Sequence, residues 1–135
     1  MKEEYKASAQ EAEQSRWKST ANNKELPVSV PKSFGGEGKG LTPEHLYAAS
    51  LLNCYLATLR VIAQKSNVDI ESLGADITAT LDTEENPPLK SAQINVSGQP
   101  DSKKMRMVAE KARQHCYIHQ SVQTEITVML NDDEI

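Results

Sequence analysis

At 135 residues, with 38% hydrophobic but only 4% aromatic residues, the chain fits one domain whose core rests on Ala, Leu, Val and Ile, and a partner subunit would help complete it. A formal charge of −4, a pI near 5.4 and scattered basic residues argue against nucleic acid or an acidic membrane surface as partner, because binding phosphate needs clustered positive charge. No apolar segment follows Met1-Lys2-Glu3-Glu4 and no uninterrupted run of about 18 apolar residues occurs. Neither a signal peptide nor a membrane span is predicted, and the expected compartment is the cytoplasm.

Weak alternation from Tyr5 to Glu13, and again through Leu26-Pro27-Val28-Ser29-Val30, predicts antiparallel strands within residues 1–33. Asn22-Asn23 supplies their turn, Pro27 points to an edge strand, and Trp17 is expected to anchor their inner face. Four glycines in the seven residues Phe34-Gly35-Gly36-Glu37-Gly38-Lys39-Gly40 make a tight connection. They are not a phosphate loop, since Leu41-Thr42 follows where Lys-Ser or Lys-Thr is needed. Thr42 as N-cap, Pro43 at the first helical position and Glu44 in the first turn then open a helix over 42–66. Apart from two tyrosines, its polar residues between Leu46 and Ala63 are Ser50, Asn53, Thr58 and Arg60, so it is expected to be buried on most sides.

Two alternating runs, 75–81 and 92–96, form a strand pair within 70–98, joined by an acidic, proline-containing loop. Asp101 is expected to cap a helix over 101–116 that places Met105, Val108, Ala109, Ala112 and Cys116 on one face and Lys103, Lys104, Arg106, Lys111 and Arg113 on the other. A final strand falls within 123–130, before an acidic tail. The sum is a single α+β domain of antiparallel strands with one buried and one amphipathic helix.

The chemistry centres on Cys54, midway along the first helix, and Cys116, 62 positions later at the end of the second. In a reducing compartment both rest as thiols, either as small buried hydrophobes or in a catalytic, sensing or metal-binding role. If both sites face one cleft, oxidation of one thiol lets the other resolve it as a disulfide. A peroxide-reducing cysteine must be a thiolate, and a guanidinium is the usual stabiliser. The candidates are Arg16, Arg60, Arg106 and Arg113. Arg60 is turned away from Cys54 on the same helix, and Arg16 either approaches the site from the N-terminal strands or is a solvated strand charge. Glu44 precedes Cys54 by ten residues, about 15 Å along a helix, so only a fold-back or a second subunit joins them. Otherwise Glu44 is an ordinary first-turn acid. Cys54, His115, Cys116 and His119 have the composition of a zinc site, but no Cys-x-x-Cys is present and adjacent side chains diverge by about 100°, so no metal is expected.

The segment Phe34-Gly35-Gly36, then Gly40-Leu41-Thr42-Pro43-Glu44-His45-Leu46-Tyr47-Ala48-Ala49-Ser50-Leu51-Leu52-Asn53-Cys54, resembles the OsmC/Ohr family, the osmotically inducible and organic hydroperoxide resistance proteins. The pattern is Pro-Glu at the start of a long central helix and a reactive cysteine ten positions after the acid. A second match is Lys111-Ala112-Arg113-Gln114-His115-Cys116-Tyr117-Ile118, where the family places its resolving cysteine. The resemblance implies an intertwined homodimer, with sheets wrapped around paired central helices and two active sites at the interface. It also implies a cofactor-free thiol peroxidase in which Cys54 attacks an organic hydroperoxide, Glu44 orients the site, Cys116 resolves the sulfenic acid, and a dithiol such as a dihydrolipoyl protein restores both thiols. The alternative is a dimer that senses oxidants or binds a small ligand with little turnover. Two positions depart from the pattern. Tyr117 stands where proline is common, and Lys32 and Ser33 stand where one branch carries its active-site arginine; in the other branch the arginine comes from the N-terminal strands, where Arg16 lies.

Overall fold

A computed structural model describes residues 1–13, 16–122 and 124–135, which divide into two compact units, Met1–Tyr47 and Ala48–Ile135. In the first, β1 (Ala7–Glu13), β2 (Arg16–Ala21) and β3 (Lys24–Ser29) form an antiparallel meander in that order. The β2–β3 turn uses Asn22 and Asn23 at φ 49° and 60°, the left-handed region that asparagine tolerates and a two-residue hairpin demands. Pro27 lies on β3, an edge strand of this sheet, where its missing N–H leaves no ladder bond unmade. Trp17 does not anchor an inner face. It is 41% exposed, and every residue of β1 beside it is exposed, so the sheet offers no buried layer at that position. A short 3-10 turn, Lys32–Phe34, leads into the glycines, where Gly36 lies so close to the Val30 carbonyl that any β-carbon would collide with it.

Helix α1 (Pro43–Lys65) starts on a reciprocal cap. The Thr42 hydroxyl faces the His45 N–H at 3.4 Å, while the Thr42 N–H donates to His45 Nδ1 at 3.1 Å. This is the logic of a capping box with an imidazole in the place of the usual acid. The helix continues into the second unit, where β4 (Glu71–Thr80), β5 (Ser91–Gln99), α2 (Lys103–His115), α3 (Tyr117–Ser121), β6 (Glu125–Leu130) and β7 (Asp133–Glu134) follow. Its buried residues, Leu51, Tyr55, Leu59 and Ala63, recur every fourth position and so form one stripe.

The sheet of the second unit has the order β4-β5-β6-β7. It is antiparallel except for β5–β6, which run parallel because α2 and α3 lie between them in the chain and carry it back as a crossover. Ala92, Ile94 and Val96 alternate inward on β5, as do Ile126, Val128 and Leu130 on β6, and α2 buries Met105, Val108, Ala109 and Ala112. The α2 cap is Ser102, whose hydroxyl accepts from the Met105 N–H at 3.1 Å, and not Asp101. Asp101 is instead held by Arg106 through contacts of 2.9 and 3.1 Å, and Arg106 also reaches Asp133 on β7 at 2.9 Å.

By length and composition α1 is apolar enough to cross a membrane, with a mean hydropathy of 1.4 over its apolar window, although polar residues interrupt its apolar runs. Its buried stripe and the bond from Tyr55 to α2 tie it into the domain as a core helix. Leu59 is fully buried at the centre of that stripe. Leu59→Ala is expected to lower stability by about 2–5 kcal/mol through lost burial and the cavity left behind, read as a shift in the urea midpoint at unchanged slope.

Candidate redox site

The long apolar run that makes α1 sets Cys54 near its middle, half-buried, three positions after Leu51 and one before Tyr55 of the buried stripe. Cys116 arrives by another route. It closes α2 and opens α3, and its extended backbone (φ −71°, ψ 115°) breaks the helix there. Its side chain is only 2% exposed. Both cysteines are free thiols, and the Cys54 thiol lies near enough to Cys116 to act on its charge.

The surroundings of Cys116 disfavour its charged form. Burial is the main cause and pushes the thiol up to about 11, and the adjoining Cys54 thiol raises it further. The backbone amides of His119 and Ile118 face the sulfur and offset part of this, although neither closes a side-chain cap on α3. Beside Cys116 lies a cavity of about 10 Å³ lined by Leu51, Tyr55, Ile94, Arg113, His119 and Ile126. The Tyr55 hydroxyl donates to the Ala109 carbonyl at 3.0 Å, and burial, with the Glu110 carboxylate second, holds it far above the usual phenol range. Arg113 grips Glu110 with two prongs, Nε to Oε2 at 3.0 Å and Nη2 to Oε1 at 2.5 Å, and this contact keeps the Glu110 carboxyl below the ordinary range.

The other sequence-derived candidates fall elsewhere. Glu44 is in the first turn of α1, about 15 Å of helix from Cys54, and its Oε2 is buried without a hydrogen-bond partner among the described residues. Of the four arginines, Arg60 donates to the Ile70 carbonyl at 3.1 Å, Arg106 binds Asp101 and Asp133, and Arg113 binds Glu110. Arg16 has the weakest tie, an exposed 3.9 Å pair with Glu13, and it lines a polar cleft of about 320 Å³ with Ser29, Gly35, Gly36, Glu37 and Lys39. Lys32 is exposed at the start of the 3-10 turn. His115 and His119 are four residues apart, a spacing that on an unbroken helix suits a metal pair. The break at Cys116 separates them, and each Nδ1 faces a backbone carbonyl, Lys111 at 2.8 Å and Arg113 at 3.1 Å.

The sequence placed His119 beside Cys116 only as part of a rejected zinc set and offered Arg113 only as one of four arginines; Tyr55 at the cavity, and Glu110 behind Arg113, were not foreseen. The Glu-x-x-Arg spacing was the available signal for one pair among them, and nothing local announces the others.

The OsmC-like protein family model matches residues 36–131, a span that includes α1, both cysteines and the whole β4–β6 sheet. The chain belongs to this family. Among curated proteins it is 35% identical over 52 residues to an uncharacterized protein of Acinetobacter baylyi, a match that spans 38% of this chain and 36% of that one. Solved structures resemble the OsmC-like chain along nearly its whole length. An organic hydroperoxide resistance protein from Elizabethkingia anophelis has a TM-score of 0.80 at 17% identity, covering 98% of this chain and 99% of its own. An OsmC-like protein of unknown function from Vibrio cholerae has a TM-score of 0.80 at 16% identity over 96% and 99%. The organic hydroperoxide resistance protein OhrB of Bacillus subtilis has a TM-score of 0.70 at 18% identity over 95% and 98%. At these identities the likeness is one of fold.

Proposed function

We propose that this OsmC-like protein is a cofactor-free, thiol-dependent peroxidase that reduces organic hydroperoxides in the cytoplasm. The observation that supports it most is the meeting of two free thiols from positions 62 apart, one half-buried and one closed off. Cys54 is the nucleophile: its thiolate attacks the terminal oxygen of the hydroperoxide, the O–O bond breaks, and the alkoxide leaves as alcohol on taking a proton. The product is a Cys54 sulfenic acid. Cys116 then attacks Cys54 Sγ, the S–O bond breaks, and the hydroxyl leaves as water with the Cys116 proton. A dithiol, such as a dihydrolipoyl protein, returns two electrons to the disulfide. The roles are not interchangeable, because a thiol held near 11 is almost wholly protonated at neutral pH and cannot begin the reaction.

Glu44 is the orienting acid in a site completed across a homodimer. Its buried Oε2, without a hydrogen-bond partner among the described residues, suits a carboxylate whose guanidinium comes from elsewhere in the assembly, and among the described residues Arg16 is the arginine with the loosest ion pair. The dimer itself is supported by α1, where Ala49, Ala57 and Val61 lie exposed off the buried stripe, Val61 by 48%, on a helix otherwise poor in polar residues. Sedimentation equilibrium is expected to return twice the 14.9 kDa chain mass, and Val61→Lys to shift the population toward monomer.

The engagement of Arg60, Arg106 and Arg113 with partners other than Cys54 favours, as a second reading, a sensor or ligand-binding dimer with a poorly activated Cys54. Turnover of an organic hydroperoxide under a supply of dithiol separates the two. Catalytic consumption carries the peroxidase; stoichiometric loss of thiols and no turnover carries the sensor.

A further inference from the structure

Resting on the peroxidase reading, we propose that the reductant opens the oxidised pair at one sulfur only: its thiolate attacks Cys54 Sγ, and Cys116 Sγ is the leaving group. Displacement at a disulfide is in line, so the incoming sulfur approaches the attacked sulfur from the side opposite its partner. For Cys116 that approach is closed. The side chain is 2% exposed, and the space beside it, walled by Leu51, Tyr55, Ile94, Arg113, His119 and Ile126, is about 10 Å³. A space of that size holds at most about one water, far too little for a thiol and the carbon that bears it. Cys54 is half-buried and retains solvent-facing surface on α1.

An opposing effect must be weighed. Burial raises the Cys116 thiol from 9.0 to about 11, which makes it the poorer leaving group. With a sensitivity of about 0.5 per unit, the value known for attacking thiols, two units slow its departure about tenfold. Tenfold is small against a sulfur that no reagent reaches, and the amides of His119 and Ile118 that face Cys116 reduce the handicap. Access therefore decides the regiochemistry. The Cys54–Cys116 bond breaks with its electron pair on Cys116, which takes a proton from solvent, and a mixed disulfide between Cys54 and the reductant forms. A second thiolate on the same reductant then attacks the reductant's own sulfur, releasing Cys54 and closing the reductant as a cyclic disulfide.

The test uses the full wild-type chain. The disulfide is formed with diamide, exposed briefly to excess 2-mercaptoethanol, quenched with acid, alkylated with N-ethylmaleimide and mapped by peptide mass spectrometry. The small monothiol gives Cys116 its best chance of being reached. The expected map has the mercaptoethanol adduct on Cys54 and the maleimide on Cys116, in at least about tenfold excess over the converse. Equal adducts, or a majority on Cys116, overturn the proposal. A parallel sample oxidised with an organic hydroperoxide tests the reading beneath it: if diamide forms the disulfide and the hydroperoxide does not, the peroxidase reading fails while the peptide map still decides which sulfur is attacked.

Discussion

Cys54→Ser is expected to reduce consumption of an organic hydroperoxide to the uncatalysed background, a loss of about a thousandfold or more, or roughly 4 kcal/mol of transition-state stabilisation. A serine hydroxyl is not ionised at neutral pH and is a weak nucleophile toward peroxide oxygen. The remaining sulfur cannot take over. With its thiol pushed up to about 11, Cys116 is a thiolate in only about one molecule in ten thousand at pH 7, and its 2% exposure denies the peroxide an approach. The readout is peroxide loss under excess dithiol, with a melting curve to show that the fold persists. The curve is expected to move little, because Cys54 is half-buried and the bond from the Thr58 hydroxyl in this stretch goes to the Cys54 carbonyl and not to the thiol. A variant that retains a tenth or more of wild-type turnover removes Cys54 from the chemistry and the proposed function with it.

How much of this the sequence discloses depends on the range of each interaction. The α+β character, the two long helices and the alternating strands are written in periods of 3.6 and 2, which are local and therefore readable. The apolar α2 face was legible down to single residues, from Met105 to Ala112. Competition between neighbours was not. Asp101 and Ser102 are both good caps, and the choice fell to Ser102 because the Asp101 carboxylate is captured by Arg106, a contact that also involves Asp133 at the far end of the chain. Trp17 reads as a core residue by type and is exposed, because burial depends on what covers a strand. The left-handed residues Asn131 and Asp132, at φ 47° and 67°, turn the acidic tail back as β7, a hairpin that its charge had concealed. At the site, the two cysteines were legible as a pair only as far as type and family resemblance reach. The burial of Cys116, at a cavity walled by α1, α2 and the sheet, is not local and no period discloses it, whereas the Arg113–Glu110 clamp is an i, i+3 pair on α2 that the spacing does signal.

Cys116→Ser is expected to separate the first chemical step from the cycle. The variant should still consume one equivalent of hydroperoxide at close to the wild-type rate, because Cys54 is unaltered. Turnover under dithiol should then fall by about tenfold or more, with a sulfenic acid on Cys54 that dimedone traps and that excess peroxide drives to the sulfinic acid. The physical ground is proximity. In the wild type the resolving thiol already lies beside Cys54, so it reacts at an effective concentration that no dissolved thiol matches. Without it the sulfenic acid waits for a collision with the external reductant and is exposed to a second peroxide in the meantime. Serine at a position 2% exposed also places a hydroxyl in apolar surroundings, at a cost of about 1–3 kcal/mol, so Cys116→Ala is the companion variant. If both variants stall after one equivalent while only the serine form is destabilised, the loss of turnover is chemical. If either turns over at the wild-type rate, sulfenic acid reduction proceeds without Cys116, and the contact between the two sulfurs serves packing and not catalysis.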